Sequence, residues 1–267
     1  MIKKLQTGIG IGILVILSGL IVLVQHKRNQ YHDLPIILKS GRLSVLTDSS
    51  SIGFSVKGDS ISGFQYEIVK AFADSLGVEL VISEQNDLKA CMDLLKSGDY
   101  DLIASLMPVT TEWKNDILFS DPFFTSRQVL VQQVNDSTHL KLIKKPEDLA
   151  NKTIYIAENS PFKMRLQHLS NEIAEPINIS EMKNKNQEQM VKMVAAGTIK
   201  YTICDENFAH KLKLQYPNID VSLPLSFEQQ QAWAVHSHSP LLLKKLNSFL
   251  ADFIGSTEYW KIYRKYY

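Results

Sequence analysis

Residues 62–83, SGFQYEIVKAFADSLGVELVIS, decide the fold of this chain. Apolar residues recur at the spacing of one helical face from Phe64 to Leu76, and Gly77 ends the run, which predicts a helix over 64–76. The β-rich run 78–83 follows at once and predicts a strand. A helix that leads directly into such a strand is typical of α/β domains with a mainly parallel sheet.

The same alternation continues on both sides of this stretch. Further strands are predicted at 42–47, 100–105, 128–133, 153–157, 201–204 and 229–236, and further helices at 87–96, 146–149, from 159 onward, 186–196, 240–254 and 258–266. Residues 29–40 are predicted to form a linker and a lead-in helix. Two similar series of strands and helices within about 230 residues favour two lobes over one domain.

An uncharged apolar stretch, residues 7–24, precedes this folded part. It lies at the short end of the roughly 17–25 residues that span a bilayer. No small-x-small pair stands near its end, which favours an uncleaved membrane anchor over 1–28, with a cleaved signal as the alternative. Basic residues flank both ends, so the charges leave the orientation open. We expect the remainder to be periplasmic or extracytoplasmic, anchored in the inner membrane.

Composition and charge exclude several classes of protein. With 45% hydrophobic and 21% charged residues, the chain is neither disordered nor collagen-like. The four basic residues among the first 30 have no acidic counterpart, so the rest holds 25 basic against 28 acidic residues. A nucleic-acid partner is therefore not expected. Two cysteines, Cys91 and Cys204, are too few for a disulfide framework or a cysteine-rich zinc site.

Eight short motifs then stand in a specific order. They are residues 43–54, GFQYE at 63–67, GDYDLI at 98–103, VTTE at 109–112, FSDPFF at 119–124, EDLANK at 147–152, AGTIKYTICD at 196–205 and KYY at 265–267. In this order and spacing they resemble family 3 of the periplasmic solute-binding proteins, which have the type II topology. Within that family, residues 190–235 are similar to the non-catalytic N-terminal module of membrane-bound lytic transglycosylase F.

This resemblance implies a two-lobed α/β fold, with two hinge strands that cross between the lobes and a ligand in the cleft between them. Lobe 1 would comprise 41–126 plus 232–267, and lobe 2 would comprise 127–231. One hydrophobic helix would precede them at the N-terminus. The two cysteines would then fall on different lobes, so we expect them to be buried and unpaired.

The resemblance also implies candidate ligand-binding residues. Asp48 and Asp205 match positions whose carboxylates meet a ligand ammonium, and Phe54 matches an aromatic beside the cleft. Ser51 stands where the family has a stacking aromatic, and Ser105, at the end of a predicted strand, completes this group. Asp48 is equally explained as a turn residue. Asp205 ends a predicted buried strand, where a carboxylate needs a partner, and this favours a ligand role.

Trp113 departs from the family pattern. In amino-acid-binding members an Arg after Thr-x-Glu clamps the ligand carboxylate, because a guanidinium fork matches two oxygens. Since Trp113 stands there and Pro108 replaces a hydroxyl-bearing residue, we expect ordinary α-amino acids to bind poorly. The indole either packs between the lobes or stacks on a sugar or peptide ring. Asn159 and Ser160 open a predicted helix whose N–H groups are expected to receive an anion, unless Ser160 is a plain N-cap.

The sequence contains no Gly-x-Ser-x-Gly, P-loop or His-Glu-x-x-His motif, so no enzyme, cofactor or metal site is expected. We expect a monomeric extracytoplasmic solute-binding protein. It would capture a small polar ligand (amino-acid-like, peptide or muropeptide) for an ABC permease or a signalling partner. The alternative is a non-catalytic regulatory module of peptidoglycan turnover that acts with a cell-wall hydrolase.

Overall fold

The computed structural model describes residues 32–109, 113, 116–134 and 142–267. Its helices are α1 (Leu34–Ser40), α2 (Phe64–Leu76), α3 (Leu88–Lys96), a 3-10 helix (Pro146–Leu149), α4 (Phe162–Glu172), α5 (Gln187–Ala195), α6 (Glu206–Gln215), α7 (Pro240–Phe253) and α8 (Thr257–Tyr266). Its strands are β1 (Arg42–Thr47), β2 (Ser55–Lys57), β3 (Ser60–Ser62), β4 (Glu79–Glu84), β5 (Leu102–Pro108), β6 (Ile117–Phe119), β7 (Phe124–Ser126), β8 (Gln128–Gln133), β9 (Thr153–Ala157), β10 (Asn178–Met182), β11 (Tyr201–Asp205), β12 (Ile219–Asp220) and β13 (Gln229–His236).

The predicted membrane segment 1–28 and the motif residues 110–112 lie outside the described residues. Within the described part of the chain, no helix combines the length and the apolar character that crossing a membrane requires.

The first lobe is built on a sheet with strand order β4-β1-β5-β13-β6, in which β7 also pairs with β13. β1 is parallel to β4 and β5, whereas β13 is antiparallel to β5, β6 and β7. Successive strand residues point to opposite faces of the sheet. Accordingly Val45 packs in the same core as α2, whereas Leu46 packs with Met92 of α3. The sheet is therefore covered on both faces.

The second lobe has a sheet of order β10-β9-β11-β8-β12. β9 is parallel to β10 and β11, and β8 is antiparallel to β11 and β12. Leu166 of α4 packs with Ile154 and Ile203 on one face. Val191 of α5 packs with Cys204 on the other face.

Both sheets are mixed, although a mainly parallel sheet was predicted. The parallel strands run toward the gap between the lobes, whereas β8 and β13 enter their sheets from the other lobe and therefore run in the opposite direction. Arg127 alone joins β7 to β8, and it pairs with Glu206 at 2.7 Å. The lobe limits 41–126 plus 232–267 and 127–231 stay a prediction; β13 already pairs with β7 from Gln229.

The C-terminal helix α8 completes the core of lobe 1 with aromatic rings. Phe64 makes edge contacts with the rings of Phe124, Tyr259 and Tyr267, at centroid distances of 5.8, 6.2 and 5.1 Å. Edge-to-face pairs of this kind stabilise beyond the burial of their area, by about 0.5–1.5 kcal/mol each. This packing holds Tyr267 at the edge of the gap between the lobes.

Candidate functional site

A cavity of about 90 Å³ lies between the two lobes. Its polar lining consists of Asp48, Ser50, Gln65, Gln128, Gln187, Asp205, Gln231 and Tyr267, and its other lining residues are Ile52, Gly53, Leu106, Pro108, Pro161, Phe162 and Phe208. None of these lining residues is basic. We call this space the inner cavity. It has room for about three water molecules or one small polar group, given about 30 Å³ for a water.

Asp48 reaches the inner cavity from lobe 1, directly after β1. Its backbone N–H donates to Ser105 Oγ at 2.9 Å, and the Ser50 hydroxyl donates to its Oδ2 at 3.2 Å. Burial raises the pKa of Asp48 above its usual value, and the hydrogen bonds from Ser105 and Ser50 oppose this shift only partly. The carboxylate is therefore a desolvated anion with neutral neighbours, and it would gain from a cationic partner.

Asp205 reaches the inner cavity from lobe 2, at the end of β11. Its Oδ1 accepts the N–H of Asn207 at 3.2 Å and so caps α6, and its Oδ2 accepts Nε2 of Gln231 at 3.0 Å. Burial is the main cause that raises the pKa of Asp205, against hydrogen bonds from Ser126 and Gln231. Asp205 thus caps α6, and its carboxylate also lines the inner cavity, where no basic residue neutralises its charge.

Two glutamines from the hinge strands add unpaired acceptors. Gln128 begins β8, and Gln231 belongs to β13. Both side chains are buried, and the Oε1 atom of each has no hydrogen-bond partner among the described residues. A buried acceptor without a partner costs about 1–3 kcal/mol, so the cavity favours a ligand that donates hydrogen bonds.

The Tyr267 phenol lies within the electrostatic reach of both carboxylates, Asp48 and Asp205. Burial raises the pKa of its phenol well above the usual value, and the charges of Asp205 and Asp48 raise it further. The phenol is therefore neutral at physiological pH and is a hydrogen-bond donor beside two anions.

Gly53 and Gly63 allow the loop after β1 to close over the start of α2. A Cβ at Gly53 would lie 2.6 Å from Asp48 Oδ2, and a Cβ at Gly63 would lie 2.1 Å from the carbonyl oxygen of Gly53. Gly63 also has a φ of 146°, which favours glycine. The carbonyl oxygen of Gly53 accepts the N–H of Gln65 at 3.1 Å, so a loop rather than a ligand satisfies this helix start.

A larger groove of about 560 Å³ adjoins the inner cavity, and we call it the outer groove. The two spaces share the lining residues Pro108, Gln128 and Pro161. Trp113 and Ser160 also line the outer groove, and Trp113 packs beside the core under α3. Of the predicted ligand residues, Asp48 and Asp205 therefore line the inner cavity, whereas Trp113, Asn159 and Ser160 line the outer groove.

The helix start at Asn159 and Ser160 stays a predicted anion site, and its N–H groups have hydrogen-bond partners within the chain. The N–H of Asn159 donates to Glu181 Oε1 at 3.1 Å, and that of Ser160 donates to the carbonyl oxygen of Ala157 at 3.2 Å. Ser160 Oγ accepts the N–H of Phe162 at 3.3 Å, although the N-cap of the helix is Pro161. These donors are used within the chain because Asn159 adopts a left-handed φ of 54° that turns the loop back on itself.

Ser51 and Phe54 lie away from the inner cavity. Both line a separate opening between the lobes, and the buried Phe54 ring makes an edge contact with the Tyr66 ring at a centroid distance of 5.9 Å. The N–H of Ser51 donates to Glu188 Oε2 at 2.7 Å. Ser51 therefore contacts the opposite lobe.

At least four hydrogen bonds among the described residues join the lobes, including one from Asn207 Nδ2 to the carbonyl oxygen of Thr125 at 3.2 Å. Besides the Ser51–Glu188 bond, Asn186 Nδ2 donates to the carbonyl oxygen of Ser49 at 2.6 Å, and Asn159 Nδ2 donates to Asp87 Oδ2 at 2.6 Å. These bonds hold the two lobes in a closed form.

We expect Glu188→Ala to open the ligand-free protein. The substitution removes one of at least four hydrogen bonds between the lobes, which is worth about 1 kcal/mol, or fivefold in the ratio of closed to open molecules. Small-angle X-ray scattering should show a larger radius of gyration than in the unsubstituted protein. The exposed Glu147→Ala is the matched control and should change nothing. Equal radii for the two variants would contradict the assignment.

A family model decides the classification. Residues 43–267 match the model of the bacterial extracellular solute-binding proteins, family 3. This chain belongs to that family. The match covers nearly all of both lobes and confirms the resemblance that the eight motifs indicated.

The curated relatives of this family 3 protein are larger proteins. The chain is 29% identical over 233 residues to a membrane-bound lytic murein transglycosylase F of Desulfosudis oleivorans, covering 86% of this chain and 50% of the relative. It is 30% identical over 198 residues to the protein of the same name in Saccharophagus degradans, covering 74% and 38%. The chain thus spans about half or less of the length of these relatives.

Solved structures of binding proteins share the fold. A mutant of ArgBP from T. maritima superposes with a TM-score of 0.74 at 25% identity, covering 87% of this chain and 98% of the other. An ancestral arginine-binding protein bound to arginine has a TM-score of 0.72 at 24% identity, covering 85% and 98%. These likenesses confirm the two-lobed α/β fold.

The sequence missed the residues that complete the inner cavity. Gln128 and Gln231 lie in predicted strands, each directly before an apolar run, and nothing in the sequence marks them as cavity residues. Gln65 was within the predicted helix, and its Oε1 accepts Nε1 of the buried Trp233 at 2.7 Å. Tyr267 belongs to the KYY motif, which identified the family and not the cavity.

Proposed function

We propose that this family 3 protein binds the amine or guanidinium end of a small polar ligand in the inner cavity, and that binding stabilises the closed form. One observation carries this proposal. Asp48 from lobe 1 and Asp205 from lobe 2 both face a cavity whose remaining polar groups include two unpaired amide oxygens and no base. An ammonium or guanidinium group would give the two carboxylates a positive partner and would bring several N–H donors into a cavity rich in acceptors.

A ligand carboxylate does not fit the inner cavity. It would be a third desolvated anion beside Asp48 and Asp205, and an anion buried without a positive partner is strongly disfavoured. The Arg that clamps carboxylates in amino-acid-binding members is replaced by Trp113, which lines the outer groove. The remainder of an amino-acid-like, peptide or muropeptide ligand would extend into that groove, because the inner cavity holds only a small group.

The cellular role is a second part of this proposal. Delivery to an ABC permease or a signalling partner is supported by membership of a family of extracellular solute-binding proteins. A non-catalytic regulatory role in peptidoglycan turnover, beside a cell-wall hydrolase, is supported by the relatives that are named murein transglycosylases. In either case residues 7–24 would hold the protein at the cytoplasmic membrane and place the lobes outside the cytoplasm, as a binding domain rather than an enzyme.

A thermal-shift series tests the ligand class. Amines and guanidines without a carboxylate, such as putrescine, agmatine and glucosamine, should raise the melting temperature, whereas arginine, glutamine and the other standard amino acids should not. At a concentration of 100 Kd a ligand stabilises by about 2.7 kcal/mol, which corresponds to a shift of about 5–10 °C for a protein of this size.

The variant Trp113→Arg sharpens this test. It should gain affinity for amino acids, because the lysines and the arginine that line the outer groove already pair with Asp or Glu, whereas the new guanidinium would offer a ligand carboxylate a bidentate contact. Micromolar binding of a standard amino acid by the unsubstituted protein, measured by calorimetry, would contradict the proposed ligand class.

A further inference from the structure

The starts of α1 and α7 lie side by side at one end of lobe 1. Asp33 caps both helices: its Oδ1 accepts the N–H of Leu34 at 2.8 Å and of Leu242 at 2.7 Å, and its Oδ2 accepts the N–H of Leu241 at 3.2 Å. The Ser239 hydroxyl also donates to the carbonyl oxygen of His32 at 3.3 Å. The chain is therefore fixed to lobe 1 from His32 onward.

This end of lobe 1 is remote from the inner cavity. α1 leads into the start of β1, and α7 follows the end of β13. β1 runs toward the cavity and β13 runs away from it, so both helix starts lie at the edge of the sheet opposite the cavity. We call the exposed residues of these two helices the basal face.

The basal face combines apolar and basic side chains. Ile36, Leu38 and Leu241 are 43%, 49% and 49% exposed. Lys39, Lys244 and Lys245 are exposed on the same two helices. The only acid in α1 or α7 is Asp252, eleven residues beyond Leu241 and thus about 16 Å along the helix.

The short segment before Asp33 limits how far the basal face can lie from a membrane that holds residues 7–24. Eight residues, 25–32, separate the apolar stretch 7–24 from Asp33. Even fully extended they span at most about 26–29 Å. A body of about 230 residues is about 45 Å across by the usual size scaling. If 7–24 is held in a bilayer, Asp33 lies within that distance of it, so the half of the molecule that carries Asp33 can contact the bilayer and the opposite pole cannot.

We infer that the basal face lies on the anionic lipid surface of the membrane that holds residues 7–24. The leucine and isoleucine side chains of the basal face insert between the lipid headgroups. Its three lysines pair with the lipid phosphates, and this attraction contributes about 1 kcal/mol for each basic residue near the surface. Lobe 1 is then fixed to the membrane, while the cleft and lobe 2 point away from it and stay free to open and close. This arrangement is independent of the ligand.

Fluorescence quenching in proteoliposomes tests the inference on the full chain. Leu241→Cys, labelled with a polarity-sensitive dye, reports on the basal face, and Glu175→Cys reports on the opposite pole, where the strands of lobe 2 begin. Native Cys91 and Cys204 are buried, and unsubstituted protein measures their background labelling. The vesicles contain phosphatidylcholine with phosphatidylglycerol and a nitroxide on the headgroup.

The expected result is quenching at position 241 and none at position 175. Lys244→Gln and Lys245→Gln should each lower the ratio of docked to undocked molecules about fivefold. High salt, or vesicles made of phosphatidylcholine alone, should also lower this ratio, because both weaken the attraction between lysines and lipid phosphates. Circular dichroism checks that each variant is folded.

Three results would overturn the inference. Equal quenching at both positions would show that the body has no preferred face toward the lipid. A dye signal at position 241 that depends on protein density and not on the nitroxide would show that a second copy covers the basal face. Failure of the full chain to insert into the vesicles would remove the tether on which the inference rests.

Discussion

Asp205→Asn is expected to weaken binding of the amine selected by the thermal-shift series by at least about thirtyfold. Truncating one partner of a buried hydrogen-bonded charge pair costs about 2–5 kcal/mol, and 2 kcal/mol corresponds to thirtyfold in Kd. Asn is the right replacement because it caps helices as well as Asp does, so the bond from the N–H of Asn207 is kept. The substitution therefore removes the charge and leaves the start of α6 in place.

The stability of the ligand-free variant separates this effect from misfolding. Because burial raises the pKa of Asp205, its charge is unfavourable in the folded protein at neutral pH, and the Asn variant should melt no lower than the unsubstituted protein. Asp59→Asn, an exposed carboxylate in the β2–β3 turn, is the matched control and should change neither property. An unchanged Kd for Asp205→Asn, measured by calorimetry, would remove Asp205 from the site.

The sequence predicted those elements whose patterns are strong. The helix over 64–76 and the strands 42–47, 128–133 and 153–157 are confirmed with the same bounds. Helix α6 was missed, although Asp205 is a fitting cap and Phe208, Ala209 and Leu212 share its buried face. Its remaining residues are polar enough to hide the period. The β2–β3 hairpin was missed because its six strand residues are mostly exposed, so apolar alternation is absent.

The candidate site was harder to predict because it depends on contacts between distant residues. Asp48 and Asp205 were expected to meet a ligand ammonium, and this stays a prediction, but both now line one cavity. That the amide oxygens of Gln128 and Gln231 are unpaired depends on which neighbours the hinge brings near, and no local pattern records this. Ser51 illustrates the reverse case: a position that the family uses for stacking instead donates its N–H to the opposite lobe.

The affinity for a cationic ligand should rise with pH. In the ligand-free protein burial raises the pKa of both Asp48 and Asp205 above the ordinary value of 3.8. For these groups the folded protein is stabilised by protonation: that contribution is complete below pH 3.8 and is lost as the pH rises through the raised values. A bound ammonium acts in the opposite direction, because it favours the ionised carboxylates. Binding of the ligand therefore lowers both pKa values and releases protons at pH values near and below the raised ones.

Calorimetry between pH 4 and pH 8, in two buffers that differ in protonation enthalpy, measures both the affinity and the number of protons released. Below the raised pKa values the affinity should fall about tenfold per pH unit for each carboxylate that must lose its proton. The double variant Asp48→Asn with Asp205→Asn has no such groups, so its residual binding should be independent of pH and release no protons from this site. An affinity that increases on acidification would mean that the ligand enters the cavity as an acid or a neutral donor, and the amine assignment would be wrong.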